Sequence, residues 1–233
     1  MTVSLPAQLL VLAKQPLPGR VKTRLTPALS PTAAAGVASA ALRDTLAAVR
    51  ATPVDRRVLV LDGDPAAVAH GAFTVQPQAG GPFGDRLAAA FSDAWSTCAL
   101  PLLLIGMDTP QVTPELLRAA VEQLLAGDQA VLGLATDGGW WALGLHRPVP
   151  GAFDGVPMST STTGQHQRER LAELGVTCTD LPVLRDIDHV HDIAVVAAGM
   201  AARSAFAQLA ATLRPLATIP LATIPLAAIA VTA

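Results

Sequence analysis

Short apolar runs alternate with segments of helical pattern along most of the chain. Three of these runs are almost wholly apolar: Leu9–Ala13, Arg57–Leu61 and Leu100–Ile105. Apolar runs of this length are typical of strands that are buried on both faces of a parallel sheet. The alternation therefore predicts an α/β fold, in which helices cover both faces of a mostly parallel sheet to give three layers.

Further segments extend this pattern. We expect additional strands at residues 73–75, 129–134, 140–145 and 176–184. We expect helices at residues 32–51, 114–126 and 190–211. A glycine-rich turn at 78–87 enters a further helix that runs to about residue 98, and residues 159–175 contain a polar loop and a helix. Asp137, Gly138 and Gly139 form a tight-turn sequence between two of the strands. This turn favours a hairpin, so we expect a mixed sheet with an antiparallel edge.

The length of 233 residues suits one domain with an appendage. We assign residues 1–213 to the folded domain and residues 214–233 to a low-complexity tail, which repeats the sequence PLATI. Proline at positions 215, 220 and 225 interrupts any continuous helix there, so we do not expect a membrane span. The tail is expected to carry no catalytic residue.

Charge and cysteine content exclude several classes of protein. The net charge of −2 argues against a nucleic-acid-binding protein, whose domain would be strongly basic. Cys98 and Cys178 lie far apart without a CxxC motif, so neither a zinc site nor a disulfide framework is indicated. The amino terminus lacks the pattern of a secretory signal, and we expect a cytoplasmic protein.

The loop after the first predicted strand is rich in positive charge. It carries four cationic side chains, Lys14, Arg20, Lys22 and Arg24, and no acidic residue precedes Asp44. A loop at the carboxyl end of a parallel strand is a common place for phosphate binding. We interpret the loop as a phosphate site, and the alternative is a solvated basic loop.

Asp108 follows the apolar run Leu100–Ile105 and is succeeded by Thr109 and Pro110. A carboxylate at the end of a buried strand is well placed to hold Mg²⁺ against substrate phosphates. The alternative is an aspartate that caps a helix. Asp186 and Asp188 follow a later strand and could bring a second carboxylate to the same ion, or Asp188 could cap the last helix.

Two further clusters could contact a ligand. Gly80, Gly81 and Gly84 precede Arg86 near a helix start, where they either admit a ligand or form a structural turn. Asp137 lies next to Trp140 and Trp141 in a chain that is only 3 % aromatic. Adjacent residues of a strand point to opposite faces, so one ring could pack in the core while the other stacks on a sugar or base. Both rings could also be packing residues.

Taken together, five stretches resemble the GT-A-like nucleotide-diphospho-sugar transferase superfamily. They are AKQPLPGRVKTRL at 13–25, GGPFGDRL at 80–87, GMDTP at 106–110, VLGLATDGGWWALGL at 131–145 and DIDHVHDI at 186–193. Within that superfamily they are most similar to the bacterial arsenosugar-biosynthesis-type glycosyltransferases, also described as radical-SAM/selenodomain-associated transferases.

The resemblance implies a Rossmann-like GT-A fold that binds a nucleotide through the first loop. Our nucleotide-binding candidates are Ala13, Lys14, Pro18, Gly19, Arg20, Lys22, Arg24, Gly81, Gly84 and Arg86. It implies Mg²⁺ or Mn²⁺ at Asp108 and Asp188, and we add Gly138, Gly139 and Trp140 as substrate-binding candidates.

These patterns lead to three hypotheses. The first is a metal-dependent transferase that uses a nucleotide-sugar donor and a small-molecule acceptor. In it, Lys22 neutralises phosphate charge and Asp108 places the metal, while Asp137 positions the acceptor or removes its proton. The second is a nucleotidylyltransferase, in which Lys22 stabilises the attacked α-phosphate. The third is a catalytically silent nucleotide-binding module. A homodimer is compatible with each hypothesis.

Overall fold

The computed structural model describes residues 3–26, 28–127 and 129–217. The strands are β1 (Leu5–Lys14), β2 (Val54–Asp62), β3 (Thr74–Pro77), β4 (Leu102–Gly106), β5 (Ala130–Ala135), β6 (Trp140–Leu145) and β7 (Cys178–Leu184). The α-helices are α1 (Pro31–Ala51), α2 (Phe83–Thr97), α3 (Pro114–Leu125), α4 (Thr163–Glu173), α5 (Val190–Ala198) and α6 (Ala205–Ala217).

The strands form one seven-stranded sheet in the order β3-β2-β1-β4-β6-β5-β7. β6 pairs antiparallel with both β4 and β5, whereas the remaining pairs are parallel. The predicted mixed α/β sheet and its hairpin are thus confirmed. The expected antiparallel edge is wrong, because β6 lies inside the sheet. Five of its six residues are buried, as suits a strand that is covered on both sides.

Apolar side chains on the two faces of the sheet form separate core clusters. Along β1, Leu9 and Val11 pack in one cluster and Leu10 packs in the other, as the two-residue period of a strand requires. Helices α1 and α3 cover the first face, and α2 and α4 cover the second. This is the predicted three-layer arrangement.

Two helices begin after residues whose side chains cap them. The side chain of Ser30 accepts a hydrogen bond from the Ala33 N–H at 3.2 Å, and Thr113 accepts one from the Leu116 N–H at 3.2 Å. Each cap is followed by proline at the first helical position, where the missing N–H has no cost.

The single helix expected at 190–211 is wrong, because α5 ends at Ala198 and α6 begins at Ala205. The carboxylate of Asp44, in α1, accepts hydrogen bonds from the Ala205 N–H at 2.9 Å and the Phe206 N–H at 2.8 Å. The carboxylate that caps the first turn of α6 therefore belongs to Asp44, which lies 161 positions earlier in the chain. Helix α6 continues to Ala217, past the predicted boundary at 213, and residues 218–233 of the predicted tail lie outside the described residues.

None of the helices in the described part of the chain has both the length and the apolar character needed to cross a lipid bilayer.

Candidate functional site

Two adjoining cavities open at the carboxyl ends of β1 and β4. The first, of about 320 Å³, contains the loop after β1 and is called here the basic compartment. The second, of about 510 Å³, reaches the start of β6 and is called the acidic compartment. Both are lined by Leu12, Arg24, Phe83, Gly106, Asp108 and Asp188. In α/β sheets, this edge is where ligands bind.

The basic compartment brings together most of the predicted nucleotide-binding residues. Its lining includes Ala13 and the cations Lys14, Arg20, Lys22, Arg24 and Arg86, and its acidic residues are Asp108 and Asp188. The structure places the other four candidates, Pro18, Gly19, Gly81 and Gly84, outside the lining of both compartments. The cavity therefore carries a net positive charge suited to an anion such as a diphosphate.

Lys22 connects the loop after β1 to two aspartates from distant parts of the chain. Its ammonium nitrogen lies 3.1 Å from Asp108 Oδ1 and 3.4 Å from Asp188 Oδ1, and its side chain is only 5 % exposed. Burial alone would lower the pKa of Lys22, but the charges of Asp108 and Asp188 outweigh it and raise the pKa. Lys22 is therefore a charged group at neutral pH, and it is fixed at the boundary of the two compartments.

The loop after β7 is held in place from two sides. The Ile187 N–H donates to the Asp108 carbonyl oxygen at 3.3 Å, and Arg24 Nη1 donates to Asp188 Oδ2 at 2.6 Å. Asp192, in the first turn of α5, accepts hydrogen bonds from the backbone N–H groups of Asp188 at 3.1 Å and of His189 at 2.7 Å. These bonds keep Asp188 directed toward the cations of the basic compartment.

The pKa of Asp192 reflects this role. Burial raises the pKa, but the hydrogen bonds from the His189 N–H, from Arg185 and from the Asp188 N–H outweigh burial and lower the pKa below its ordinary value. Asp192 thus accepts these hydrogen bonds as a stable carboxylate.

Asp186 lines the acidic compartment, and its buried Oδ1 has no hydrogen-bond partner in the described residues. Burial, together with the negative charges of Asp108 and Asp137, raises the pKa of Asp186 to about 7, although the charge of Lys22 partly opposes this. From the sequence, Asp186 is predicted only as a carboxylate that could join Asp108 at a metal ion. Its burial depends on long-range packing that the sequence alone does not reveal.

The turn between β5 and β6 brings Asp137 and the three substrate-binding candidates close together, but these residues do not all line the same cavity. Asp137, Gly139 and Trp140 line the acidic compartment, and the Gly139 N–H donates to Asp137 Oδ1 at 2.8 Å. Gly138 lines a separate, neighbouring cavity; its φ is +90°, and a Cβ there would collide with the backbone of Ser161. Gly138 is thus required for the close approach of two loops.

The two tryptophans have separate surroundings. Trp141 is 1 % exposed, packs in the core and donates from Nε1 to the Pro182 carbonyl oxygen at 2.9 Å. Trp140 is half-buried, packs against the core cluster on the other face of the sheet, and lines the acidic compartment, as Trp141 also does. The two rings lie on opposite faces, as the alternation of a strand requires, and both have packing contacts.

Arg86 is oriented by residues that sequence reasoning missed. Its Nη1 donates to Gln78 Oε1 at 3.2 Å, its guanidinium lies 5.0 Å from the centre of the Phe83 ring, and Gln78 Nε2 donates to the Ala13 carbonyl oxygen at 2.8 Å. Gly84, by contrast, lies against the backbone of Phe153, which agrees with the structural alternative for this glycine cluster. No local motif distinguishes Gln78 in the sequence.

The hydroxyl-bearing loop that lines the acidic compartment was not predicted either. Ser159, Thr160, Ser161 and Thr163 belong to its lining, together with Met158 and His189. The only available signal was the run of serine and threonine itself. Thr109, which follows the predicted Asp108, also lines this compartment; it is 1 % exposed and its Oγ1 has no hydrogen-bond partner in the described residues.

The donor groups at the boundary are chemically suited to a hard divalent cation. Asp108 and Asp188 supply the carboxylate oxygens that Mg²⁺ and Mn²⁺ prefer, and the unpartnered Oδ1 of Asp186 lies in the same region. Among the described residues, no three histidine, cysteine, aspartate or glutamate side chains form a ready-made metal site. Two carboxylates would suffice, because Mg²⁺ commonly completes its coordination with substrate phosphates and water.

Comparison with solved structures defines the class of this fold. A candidate nucleotide-diphospho-sugar transferase from Desulfovibrio desulfuricans G20 matches with a TM-score of 0.83 and 25 % identity, over 91 % of this chain and 96 % of that chain. The chain therefore has the GT-A-like architecture of the nucleotide-diphospho-sugar transferase superfamily. Residues 45–160 match the family model described as "Uncharacterized protein conserved in bacteria (DUF2064)".

More distant structures share the fold. A nucleotidyl transferase from Methanothermobacter thermautotroptrophicus has a TM-score of 0.54 and 16 % identity, over 87 % of this chain and 98 % of that chain. CMP:2-keto-3-deoxy-manno-octonic acid synthetase, solved with CTP, has a TM-score of 0.52 and 11 % identity, over 82 % of this chain and 96 % of that chain. Among curated proteins, no sequence matches the chain.

Proposed function

We propose that this protein is a transferase that uses a nucleotide-sugar donor and a small-molecule acceptor. The observation that carries the proposal is the pair of adjoining compartments, one basic and one acidic, that meet at Asp108 and Asp188. A diphosphate suits the basic compartment, while the acidic compartment offers space for a second substrate. The likeness to the D. desulfuricans protein supports the donor class.

In this proposal the cations act on the phosphates of the donor. Lys22, Arg20, Arg24 and Arg86 neutralise negative charge as it develops on the leaving nucleotide. The buried position of Lys22 makes its charge effective, because solvent screens it little. Asp137, in the acidic compartment, positions the acceptor or takes its proton.

Asp108 and Asp188 would hold the divalent cation, Mg²⁺ or Mn²⁺. When bound, the ion supplies positive charge to the phosphate oxygens and polarises the bond to the leaving group. Lys22 contacts both aspartates, so the same two carboxylates fix the ammonium and would bind the metal.

Within the superfamily, the five sequence stretches at 13–25, 80–87, 106–110, 131–145 and 186–193 support assignment to the arsenosugar-biosynthesis type.

Binding is tested with a thermal-shift panel of nucleotides and nucleotide-sugars, each measured with and without Mg²⁺. A bound ligand raises the melting temperature by mass action, so the panel also identifies the donor. We expect a Mg²⁺-dependent gain in affinity that the substitution Asp108→Asn abolishes. Affinity that is indifferent to both Mg²⁺ and Asp108→Asn would instead support a catalytically silent nucleotide-binding module.

Nucleotidyl transfer is the second candidate, and the fixed ammonium of Lys22 favours it, since this group could equally stabilise an α-phosphate under attack. Product analysis separates the two reactions. Transfer of a sugar from a nucleotide-sugar releases a nucleotide, whereas transfer of a nucleotidyl group from a nucleoside triphosphate releases pyrophosphate. Release of pyrophosphate upon incubation with nucleoside triphosphates and sugar phosphates would contradict the proposed glycosyl transfer.

A further inference from the structure

The two compartments differ in charge. Five lysine or arginine side chains and two aspartates line the basic compartment, whereas four aspartates and one arginine line the acidic one. Asp108 and Asp188 belong to both and are paired with Lys22 and Arg24. The carboxylates that remain specific to the acidic compartment are Asp137 and Asp186. A ligand in this compartment therefore meets a negative surface.

Two buried oxygen atoms in this compartment lack hydrogen-bond partners in the described residues. They are Asp186 Oδ1 and the Oγ1 of Thr109, whose residue is only 1 % exposed. A buried polar atom without a partner costs free energy, which a ligand donor can recover. A carboxylate accepts hydrogen bonds and a hydroxyl both donates and accepts, so these atoms favour a ligand rich in O–H or N–H groups.

We propose that the acidic compartment binds an uncharged or cationic acceptor that carries hydroxyl or amine donors, and that it rejects acceptors bearing phosphate or carboxylate groups. This inference rests on the proposed function and names the substrate class of its second site. An anionic acceptor would face Asp137 and Asp186 while lying beside the phosphates of the donor. Such like-charge contacts disfavour binding and provide specificity.

The carboxylates of the acidic compartment also lie where the acceptor would lose its proton. Transfer to a hydroxyl acceptor forms a bond between the sugar carbon and the acceptor oxygen, breaks the bond between that carbon and the phosphate oxygen, and moves the acceptor proton to a carboxylate. Asp137 and Asp186 are the carboxylates specific to this compartment. A small phosphorylated acceptor, as in the alternative of nucleotidyl transfer, would not be favoured there.

The test measures binding to the full chain without requiring turnover. Saturation-transfer NMR is recorded with three matched probes, glucose, glucosamine and glucose 6-phosphate, in the presence of Mg²⁺ and inorganic pyrophosphate to fill the basic compartment. We expect signals from glucosamine and glucose and none from glucose 6-phosphate. Asp137→Asn and Asp186→Asn should each weaken glucosamine binding by about tenfold or more, since each replaces a carboxyl oxygen with an amide NH₂ group that cannot accept a hydrogen bond.

Asp93→Asn is the matched control, because Asp93 is exposed on α2 outside both compartments, and it should leave the NMR signals unchanged. Binding of glucose 6-phosphate as tight as that of glucosamine, or no signal from glucose and glucosamine, would overturn the inference.

Release of nucleotide from nucleotide-sugars is assayed separately. Its absence with every acceptor contradicts the proposed function, whereas release with phosphorylated acceptors alone contradicts only the inference.

Discussion

Lys22 shows how one side chain can join segments that lie far apart in the sequence. It is 166 residues from Asp188, and its backbone is in the left-handed region with φ of 49°. Left-handed backbone is uncommon for residues other than glycine and is retained where surrounding contacts fix it. Here the two aspartates hold the ammonium in place, which suggests that the geometry serves binding rather than local folding.

Replacing Lys22 with methionine should weaken nucleotide binding by about tenfold or more, because a buried charge-assisted contact to phosphate is lost while side-chain volume is retained. Isothermal titration with the nucleotide identified by thermal shift measures this change. Lys14→Met is the matched variant, since Lys14 lines the same compartment with an exposed side chain that water screens. Equal losses in both variants would contradict a special role for Lys22.

The sequence predicted the cations and Asp108 because a simple rule applies to them: they follow apolar strands, and the carboxyl ends of parallel strands form the ligand-binding edge. Gln78 and Thr109 also follow strands, β3 and β4, but they lack the charge that marked the cations and Asp108 as candidates. The hydroxyl-bearing loop at 159–163 does not follow a strand, and it leads into α4. The specific roles of the site residues stay predictions until the variants are measured.

Among the helices, α5 depends on a single buried carboxylate at its first turn. Asp192 accepts hydrogen bonds from Arg185 and from the backbone N–H groups of Asp188 and His189. We expect Asp192→Ala to lower the free energy of unfolding by about 1–3 kcal/mol at pH 7, because these donors lose their partner. Urea unfolding of both proteins measures this loss.

The same prediction carries a pH dependence. The folded-state pKa of Asp192 is lowered from 3.8, so its contribution is complete above that pH and is lost as the pH falls through the lower folded-state value. The stability difference between wild type and Asp192→Ala should therefore shrink below about pH 4. Asp93→Ala, at an exposed position, should show little difference at either pH. A constant Asp192→Ala effect across this range would rule out the carboxylate as the cause.

The interior strand β6 tolerates little added volume. A Cβ at Gly144 would lie 2.6 Å from Val131 Cγ2 and 2.7 Å from Leu124 Cδ1. Gly144→Ala should thus destabilise the protein by about 1–3 kcal/mol through overpacking, as measured by urea unfolding. At the exposed Gly80, where an added Cβ would meet no atom within 4 Å, the same change should be nearly neutral. Equal effects at both positions would argue against overpacking.

Element types were more predictable than their spatial order. Apolar runs predicted the seven strands, and the pattern is clearest in strands that are buried on both faces, such as β1 and β4, rather than in the more exposed β3 and β7. The position of β6 between β4 and β5 was missed, because a hairpin sequence does not show which neighbour pairs on its other side. The break between α5 and α6 was missed because its cap, Asp44, comes from α1.

For the whole molecule, the site joins two halves of the sheet. The loop after β1 comes from the parallel half, whereas the loop after β7 comes from the far edge beyond the β5–β6 hairpin. They are connected by the contacts of Lys22 and Arg24 with Asp188 and by the hydrogen bond from the Ile187 N–H to Asp108. Ligand binding at one loop should therefore also restrain the backbone of the other loop.

Hydrogen exchange tests this coupling with inorganic pyrophosphate and Mg²⁺ at saturating concentrations. We expect slower amide exchange in both residues 15–26 and residues 185–190, because anchoring the cations of the first loop also restrains Asp188. In Asp188→Asn, protection should be confined largely to residues 15–26. Asp180→Asn removes an ion pair between Asp180, on the edge strand β7, and Arg168, on α4, and it should preserve protection in both segments. Undiminished protection of residues 185–190 in Asp188→Asn would show that these ion pairs do not couple the two halves.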